Sequence, residues 1–379
     1  MKLKTLFTFI LALSISMLSH ATPKPTPKAP SLNANSFYLI DFESGVVLAE
    51  KNPHKKVEPA SITKLMSMYL VDKALADGQL QLTDTVTISE KAWRMKGSKM
   101  FIEVGKEISV QNLIKGMVIQ SGNDATIALA EHIAGSEDAF VGYMNHRAEM
   151  LGMKNTQFKN ATGWPEEGHY STAHDIAILA QAIIREFPAS YAYYKEKEFT
   201  FNKIRQFNRN RLLWRDDSVD GLKTGHTEAA GYCLVASAMR EDMRLISVVL
   251  GAKSDKARTK YSQSLINYGF RYFETHKLYS AKETLKEAPI WFGTQEQVSL
   301  GIETDLFINI PKGRYKDLNA TIEVDSNIEA PISEGQELGA ISIKLDGKEL
   351  SSLPIVALHS VEDGGLIKKA MDSVKRVFK

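Results

Sequence analysis

One cysteine, Cys233, stands among the 379 residues, inside the apolar run "GYCLVASA". A single thiol closes no internal disulfide, and nothing beside it suggests a catalytic partner, so it reads as a small buried apolar residue. There is no Cys/His cluster and no His-Glu-x-x-His pattern. That leaves no basis for a metal site, and no cofactor is implied. A basic block is also missing: 47 Lys and Arg are interspersed with 45 Asp and Glu, for a net charge of +2. Nucleic acid is therefore not an expected partner. Proline is sparse beyond the start, where Pro23, Pro25, Pro27 and Pro30 account for four of the 12.

That start is informative. Lys2 and Lys4 precede an apolar stretch from Leu6 to Met17, and "SHA" follows at 19–21. The pattern predicts a secretory signal peptide, residues 1–21, cut after Ala21. The stretch is too short to span a bilayer comfortably, which argues against an uncleaved anchor. A Pro-rich linker follows at 22–32.

Beyond it, "SFYLIDFESGVVLAEKN" predicts a hairpin. Helical spacing then runs through "SITKLMSMYLVDKALADG", "SVQNLIKGMVIQ", "NDATIALAEHIAG" and "STAHDIAILAQAIIREF". "GYCLVASAM" and "RLISVVLGAK" predict a second hairpin, and "YSQSLINYGFRYFET" a closing helix. Strands at both ends with helices between imply a sheet built from distant segments beside a helical subdomain, over residues 33–280. Residues 285–362 alternate in short runs broken by "PKG" and "DGK", as in a small all-β sandwich domain. In the tail, 363–379, Leu366, Ile367, Ala370, Met371, Val374, Val377 and Phe378 share one helical face. Lys368, Lys369, Lys375, Arg376 and Lys379 lie opposite or on the flanks. Such a helix suits an anionic membrane surface, the bland alternative being a helix packed on its own domain.

Three short motifs carry chemistry. In "SITK" the i, i+3 spacing sets Ser61 and Lys64 on one helical face. A Ser hydroxyl needs a base, and Lys serves only when burial or nearby positive charge lowers its pKa. Ser-x-x-Lys is expected about once by chance in a chain this long, so alone it reads as a cap and a surface Lys. "SGN" places Ser121 and Asn123 in a tight helix–helix connection, able to relay a proton and hold a substrate amide; capping by Asn123 or Asp124 is the plain alternative. "KTG" places Lys223, Thr224 and Gly225 before the strand at Gly231. There an edge strand could pair with an extended peptide and bind its carboxylate. An ordinary turn is the alternative. The three together, in order and in an exported chain, favour a nucleophilic serine enzyme.

At this point the chain resembles the low-molecular-mass penicillin-binding proteins, the D-alanyl-D-alanine carboxypeptidases of the penicillin-binding protein 5 type. "EPASITKLMSMYLV", "IQSGNDATIALAEHIAG", "NRNRLLW", "VDGLKTGHTEAAGYCLVASA" and "GFRYFET" carry the resemblance across the mature chain. It implies an α+β catalytic domain of the serine β-lactamase/transpeptidase type, with an antiparallel sheet and helical subdomain. It also implies Ser61 as nucleophile, Lys64 as base and Ser121 as proton relay. Asn123, Lys223, Thr224 and His226 would bind substrate, with Arg209 and Arg258 nearby. The implied substrate is a peptidoglycan pentapeptide ending in D-Ala-D-Ala, and β-lactams would acylate the same serine. The implied location is the periplasmic face of the bacterial inner membrane, held peripherally by the tail.

Three rivals remain. A class A β-lactamase would carry Glu-x-x-Leu-Asn between Ser121 and Lys223; "GWPEEGH" supplies Glu166, Glu167 and His169 but not that pattern. An endopeptidase acting on D-alanyl cross-links would share the chemistry. A non-catalytic peptidoglycan-binding protein would have no need of all three motifs.

Overall fold

The computed structural model describes residues 26–377, so the expected signal peptide, the first linker residues, Phe378 and Lys379 lie outside the described residues. Five strands form the central sheet: β1 (Ser36–Asp41), β2 (Val47–Lys51), β3 (Val219–Thr227), β4 (Gly231–Arg240) and β5 (Met243–Ala252). They pair antiparallel in the order β2-β1-β5-β4-β3. Both expected hairpins are present, and sequence-distant ends meet at β1 and β5. The inner strands are covered on both faces, which is why they read as nearly continuous apolar runs. Tyr38, Ile40, Cys233 and Val235 pack on the helical side, while Phe37, Leu39, Leu234 and Ala236 pack on the other. Cys233 is fully buried, and burial pushes its thiol up to about 11, so the sulfur is a core atom and not a nucleophile.

The helical side holds α1 (Lys64–Ala76), α2 (Val110–Lys115), α3 (Asn123–Ala134), α4 (Glu137–Met150) and α5 (Ala173–Glu186). The expected α2 is shorter than its apolar spacing suggests, because Gly116–Gln120 widens into a π-helical turn. That turn ends at Ser121, whose φ of 65° is left-handed, and α3 starts two residues later. A non-glycine residue held there stores ~1 kcal/mol or more of strain, a common mark of functional positions. Gly135, at φ 77°, terminates α3 as expected.

The opposite face is covered by α6 (Asp255–Tyr272), capped by Ser254 accepting from the Ala257 N–H. The described part of the Pro-rich segment lies along it: Tyr268 donates to Pro27 O, and Leu32 is buried in the same core. The expected closing helix thus starts earlier and ends sooner. Phe273, Glu274 and Thr275 belong instead to β6 (Phe273–Tyr279), which pairs with β9 (Leu306–Pro311). So the first unit, read as ending at 280, already hands over its last strand to the second sheet system. There β7 (Lys286–Pro289), β8 (Gln297–Gly301), β10 (Leu318–Val324), β11 (Glu337–Leu345) and β12 (Lys348–Ala357) form a sheet in the order β7-β8-β12-β11-β10. Ile308 and Ile310 of the β6–β9 pair share one core with Leu300, Ile341 and Ile355, giving the expected sandwich.

The tail forms α7 (Gly365–Val377). Its polar side faces the β domain: Asp372, 2 % exposed, accepts from the Phe292 N–H and from Lys368, and Arg376 pairs with Glu329. The apolar side points away, with Leu366 and Ile367 at 87 % and 80 % exposure and Ala370, Met371 and Val374 also exposed. No helix among the described residues is long and apolar enough to cross a membrane.

Candidate active site

Ser61 sits in a 3-10 turn, Ala60–Thr63, that leads directly into α1. No side chain caps either helical segment at this entry, so the cap reading of Ser61 does not hold. Ser61 Oγ instead accepts a 3.2 Å hydrogen bond from Lys64 Nζ. Lys64 is 1 % exposed and donates a second, 2.6 Å bond to Thr162 O. Burial lowers its pKa from 10.5 to about 7; the positive charge of Arg209 adds to the fall and Asp124 opposes it. An amine with one N–H spent on a carbonyl can turn its lone pair toward the serine hydroxyl.

The Thr162 carbonyl is itself held in place. Asn160 Oδ1 accepts from the N–H groups of Thr162, Gly163 and Trp164 at 3.3, 2.8 and 3.0 Å, and from the Thr162 hydroxyl at 3.2 Å. Its Nδ2 donates to Trp164 O and to Glu166. Gly163, at φ +80°, meets the serine turn backbone to backbone: a Cβ there would lie 1.8 Å from Ala60 O. Behind this loop His169 Nδ1 accepts from the Lys159 N–H, which leaves Nε2–H for Thr63 Oγ1 at 2.9 Å. Burial pushes this imidazole down to about 4, so it stays neutral. Glu166 and Glu167 line a different cleft, with Lys56 and Tyr170.

Ser121 lines the same cleft as Ser61, and its buried hydroxyl has no hydrogen-bond partner among the described residues, not even Lys64. Asn123 stands behind the cleft wall. Its Nδ2 donates to Lys96 O and its N–H to Ser98 O, both at 2.7 Å, while Oδ1 is buried without a partner. Asp124 accepts from the N–H groups of Met100 and Phe101, both at 3.0 Å. Together they fasten residues 96–102 to the α2–α3 junction, which brings Gly97 and Ser98 to the cleft.

The third wall is β3, an edge strand as expected. Thr224, Gly225 and His226 line the cleft from it. A Cβ on Gly225 would lie 2.9 Å from Pro59 O, so this glycine lets the strand reach the serine turn. Lys223 is buried, its Nζ bonded to Thr224 O at 3.2 Å, and it does not line the cleft. Burial, then the like charges of Lys64, Arg209 and Arg258, drive its pKa well down. His226 is exposed at the lip, its ring centroid 4.0 Å from that of Tyr232. Arg258 clamps the strand pair, donating to Gly225 O and Cys233 O, and pairs with Asp255 at 2.6 Å. Arg209 lines the cleft with no hydrogen-bond or ion-pair partner among the described residues. The cleft is about 350 Å³, and none of its lining residues is acidic. Its field favours an anion near Thr224 and Arg209.

The motif residues therefore converge, with Lys64, Asn123 and Lys223 in supporting positions behind the lining. Sequence reasoning missed Thr162 O, Asn160, Asp124 and the Gly97–Ser98 segment. "NATG" at 160–163 signals an Asn-initiated turn, but nothing in it points to Lys64.

Residues 23–254 match the D-alanyl-D-alanine carboxypeptidase family, and residues 273–363 match the C-terminal domain of penicillin-binding protein 5. The D-alanyl-D-alanine carboxypeptidase DacA of Escherichia coli is 45 % identical over 93 % of this chain and 89 % of its own length. The crystal structure of penicillin-binding protein 5 from Haemophilus influenzae superposes with a TM-score of 0.86 at 43 % identity, covering 89 % of this chain and all of that one. Penicillin-binding protein D2 from Listeria monocytogenes, in an ampicillin-bound form, is 31 % identical with a TM-score of 0.59 over 64 % of this chain and all of its own. Matched over most of its length by family, sequence and fold, the chain belongs to the S11 family of D-alanyl-D-alanine carboxypeptidases.

Proposed function

We propose that Ser61 is the acylated nucleophile and Lys64 its general base in removing the terminal D-Ala from peptidoglycan pentapeptides. The observation that carries this is the Lys64–Ser61 hydrogen bond, made by a buried amine whose pKa is about 7. Ser61 Oγ attacks the carbonyl between the two terminal D-Ala residues and passes its proton to Lys64 Nζ. Backbone N–H groups, one of them from Ser61, hold the oxyanion. Ser121, whose hydroxyl has no partner among the described residues, relays the proton to the leaving amine. Water then hydrolyses the acyl-enzyme. The substrate pairs along the free edge of β3. Thr224 and Arg209 receive its carboxylate, Lys223 supports the strand from behind through its bond to Thr224 O, His226 guards the lip, and Asn123 serves through its unpaired Oδ1.

β-Lactams mimic the dipeptide and acylate the same serine, consistent with the ampicillin complex of the Listeria relative. The cleft's lining has no acidic residue, so it has no counterpart of the carboxylate that activates water in a class A β-lactamase. The first domain, read from the sequence as 33–280, ends instead before Phe273, where β6 joins the second domain read as 285–362. The protein acts outside the cytoplasm, on the periplasmic face of the inner membrane. There α7 lies in the lipid interface, an arrangement supported by its outward apolar side and inward polar side. The test is release of D-Ala from a pentapeptide by purified protein: Ser61→Ala abolishes it if the account is right. Unchanged trimming would restore the non-catalytic reading.

A further inference from the structure

Far from the catalytic cleft, α7 and the β domain enclose a groove of about 1030 Å³. From the β domain, Ile290 and Trp291 line it just past β7, and Glu296 just before β8. From α7 come Val374 and the stripe Lys368, Asp372 and Lys375, spaced at helical i, i+4 and i+7. Four of the lining residues are charged, two of each sign. Asp372 is spent: one oxygen accepts from the Phe292 N–H and the other from Lys368, at 3.0 Å. Glu296 is not. It is 80 % exposed, and its two ion-pair partners, Lys368 and Lys375, both stand 4.0 Å away, too far for a hydrogen bond.

The groove's position says what could reach it. Val374 belongs both to this groove and to the exposed apolar side of α7, with Leu366, Ile367 and Met371. With that side among acyl chains, the groove opens at the depth of the lipid headgroups. A groove that selected acidic headgroups would carry a surplus of base, and this one is balanced. Lys368 and Lys375 can hold a phosphate while Glu296 takes hydrogen bonds from an amine two carbons away. A trimethylated amine has no N–H to give. Trp291, the ring that would compete for it, already carries the Arg376 guanidinium 5.7 Å from its centroid. We infer that the groove between α7 and the β domain is a headgroup site for a zwitterionic lipid with a primary amine, of phosphoethanolamine chemistry. This rests on the placement of α7 in the lipid interface proposed above, and extends it from attachment to the choice of lipid. General attraction to an anionic surface needs only the basic helix; the groove selects the headgroup that sits against the β domain.

The test is cosedimentation of the full chain with two sets of vesicles that hold phosphatidylglycerol at the same fraction. Phosphatidylethanolamine makes up the rest of one set and phosphatidylcholine the rest of the other. Wild type partitions roughly threefold or more in favour of the ethanolamine set, the scale of one charge-assisted hydrogen bond weakened by exposure. Glu296→Gln, at an exposed position away from the Asp372 contacts, brings that ratio close to unity while binding to both sets persists. Both sets carry the same surface charge, so the charge lost in the variant cancels from the ratio. A wild-type ratio near unity, a preference for choline, or a ratio that Glu296→Gln leaves in place overturns the headgroup site. Ile367→Asp separates that failure from failure of the reading beneath it, because it weakens binding to both sets alike. No weakening, or no wild-type binding to either set, overturns the interface placement and the headgroup site with it.

Discussion

Lys64 lies closer to the carbonyl oxygen of Thr162, at 2.6 Å, than to the Ser61 hydroxyl it is to deprotonate, at 3.2 Å. The residue 98 positions away is thus part of the base's machinery: it takes one N–H and leaves the lone pair free to turn toward Ser61. The pKa near 7 makes the amine half neutral at physiological pH.

The acylation rate constant therefore rises with pH along a limb centred near 7 and levels off above it, because only the neutral amine accepts the serine proton. Arg209→Gln removes a positive charge that lowers this pKa, so the limb moves to higher pH. Stopped-flow acylation by a chromogenic cephalosporin across roughly pH 5–9, about two units either side of the midpoint, reads both curves. A limb that stays in place in the variant contradicts the electrostatic account of Lys64.

Asn160→Ala removes the acceptor that gathers three loop N–H groups and lets the Thr162 carbonyl drift. Acylation slows by on the order of tenfold, equivalent to ~1.4 kcal/mol. Asn160→Asp keeps the acceptor oxygen but turns the donor facing Trp164 O and Glu166 into a repelled carboxylate oxygen, so it recovers only part of the rate. Equal rates in all three proteins, by the same assay, would show that the loop does not position the base.

How much of this was legible in the sequence follows from what each interaction is made of. Ser61, Lys64 and the β3 edge are side-chain or periodicity signals, so the three motifs together, in order and in an exported chain, brought them forward where each alone did not. Thr162 acts through its carbonyl, which every residue owns, and Asn160 acts through a turn that any surface loop could use. Their importance exists only once Gly163 meets Ala60, a contact across about a hundred residues that no local pattern encodes. The helix carried too far, into Phe273–Thr275, failed for a related reason. Its apolar spacing continues smoothly, and the strand partner that overrides it, Leu306–Pro311, comes more than thirty residues later.

Asp72, on the buried side of α1, has both carboxylate oxygens without a full hydrogen bond. Burial pushes its pKa from 3.8 up to about 7, a rise that the nearby Ser190 hydroxyl partly offsets. The folded state keeps the proton up to about pH 7 while the unfolded chain releases it near 4, so the folded protein binds more protons between them. Stability therefore falls as pH rises through that window. Asp72→Asn gains up to about 4 kcal/mol at pH 8 and little at pH 4, because each tenfold difference in proton affinity between the two states is worth ~1.4 kcal/mol. Calorimetric Tm values at the two pH values check this, and an equal gain at both would contradict it.

In α7, Ile367→Asp places a charge on the outward apolar side without touching Asp372 or Arg376, which hold the helix to the β domain. Burying an Ile side chain is worth ~1.5–3 kcal/mol, so binding to anionic lipid vesicles weakens about tenfold or more. Cosedimentation measures it; unchanged binding argues that this face does not meet the lipid.

The central claim is that Ser61, activated by Lys64, is the nucleophile. Intact-protein mass spectrometry after incubation with benzylpenicillin, followed by peptide mapping, tests it most directly. The account predicts a single penicilloyl adduct on the peptide carrying Ser61, lost in Ser61→Ala and formed far more slowly in Lys64→Ala. An adduct on Ser121 or any other residue, or none at all, would contradict it.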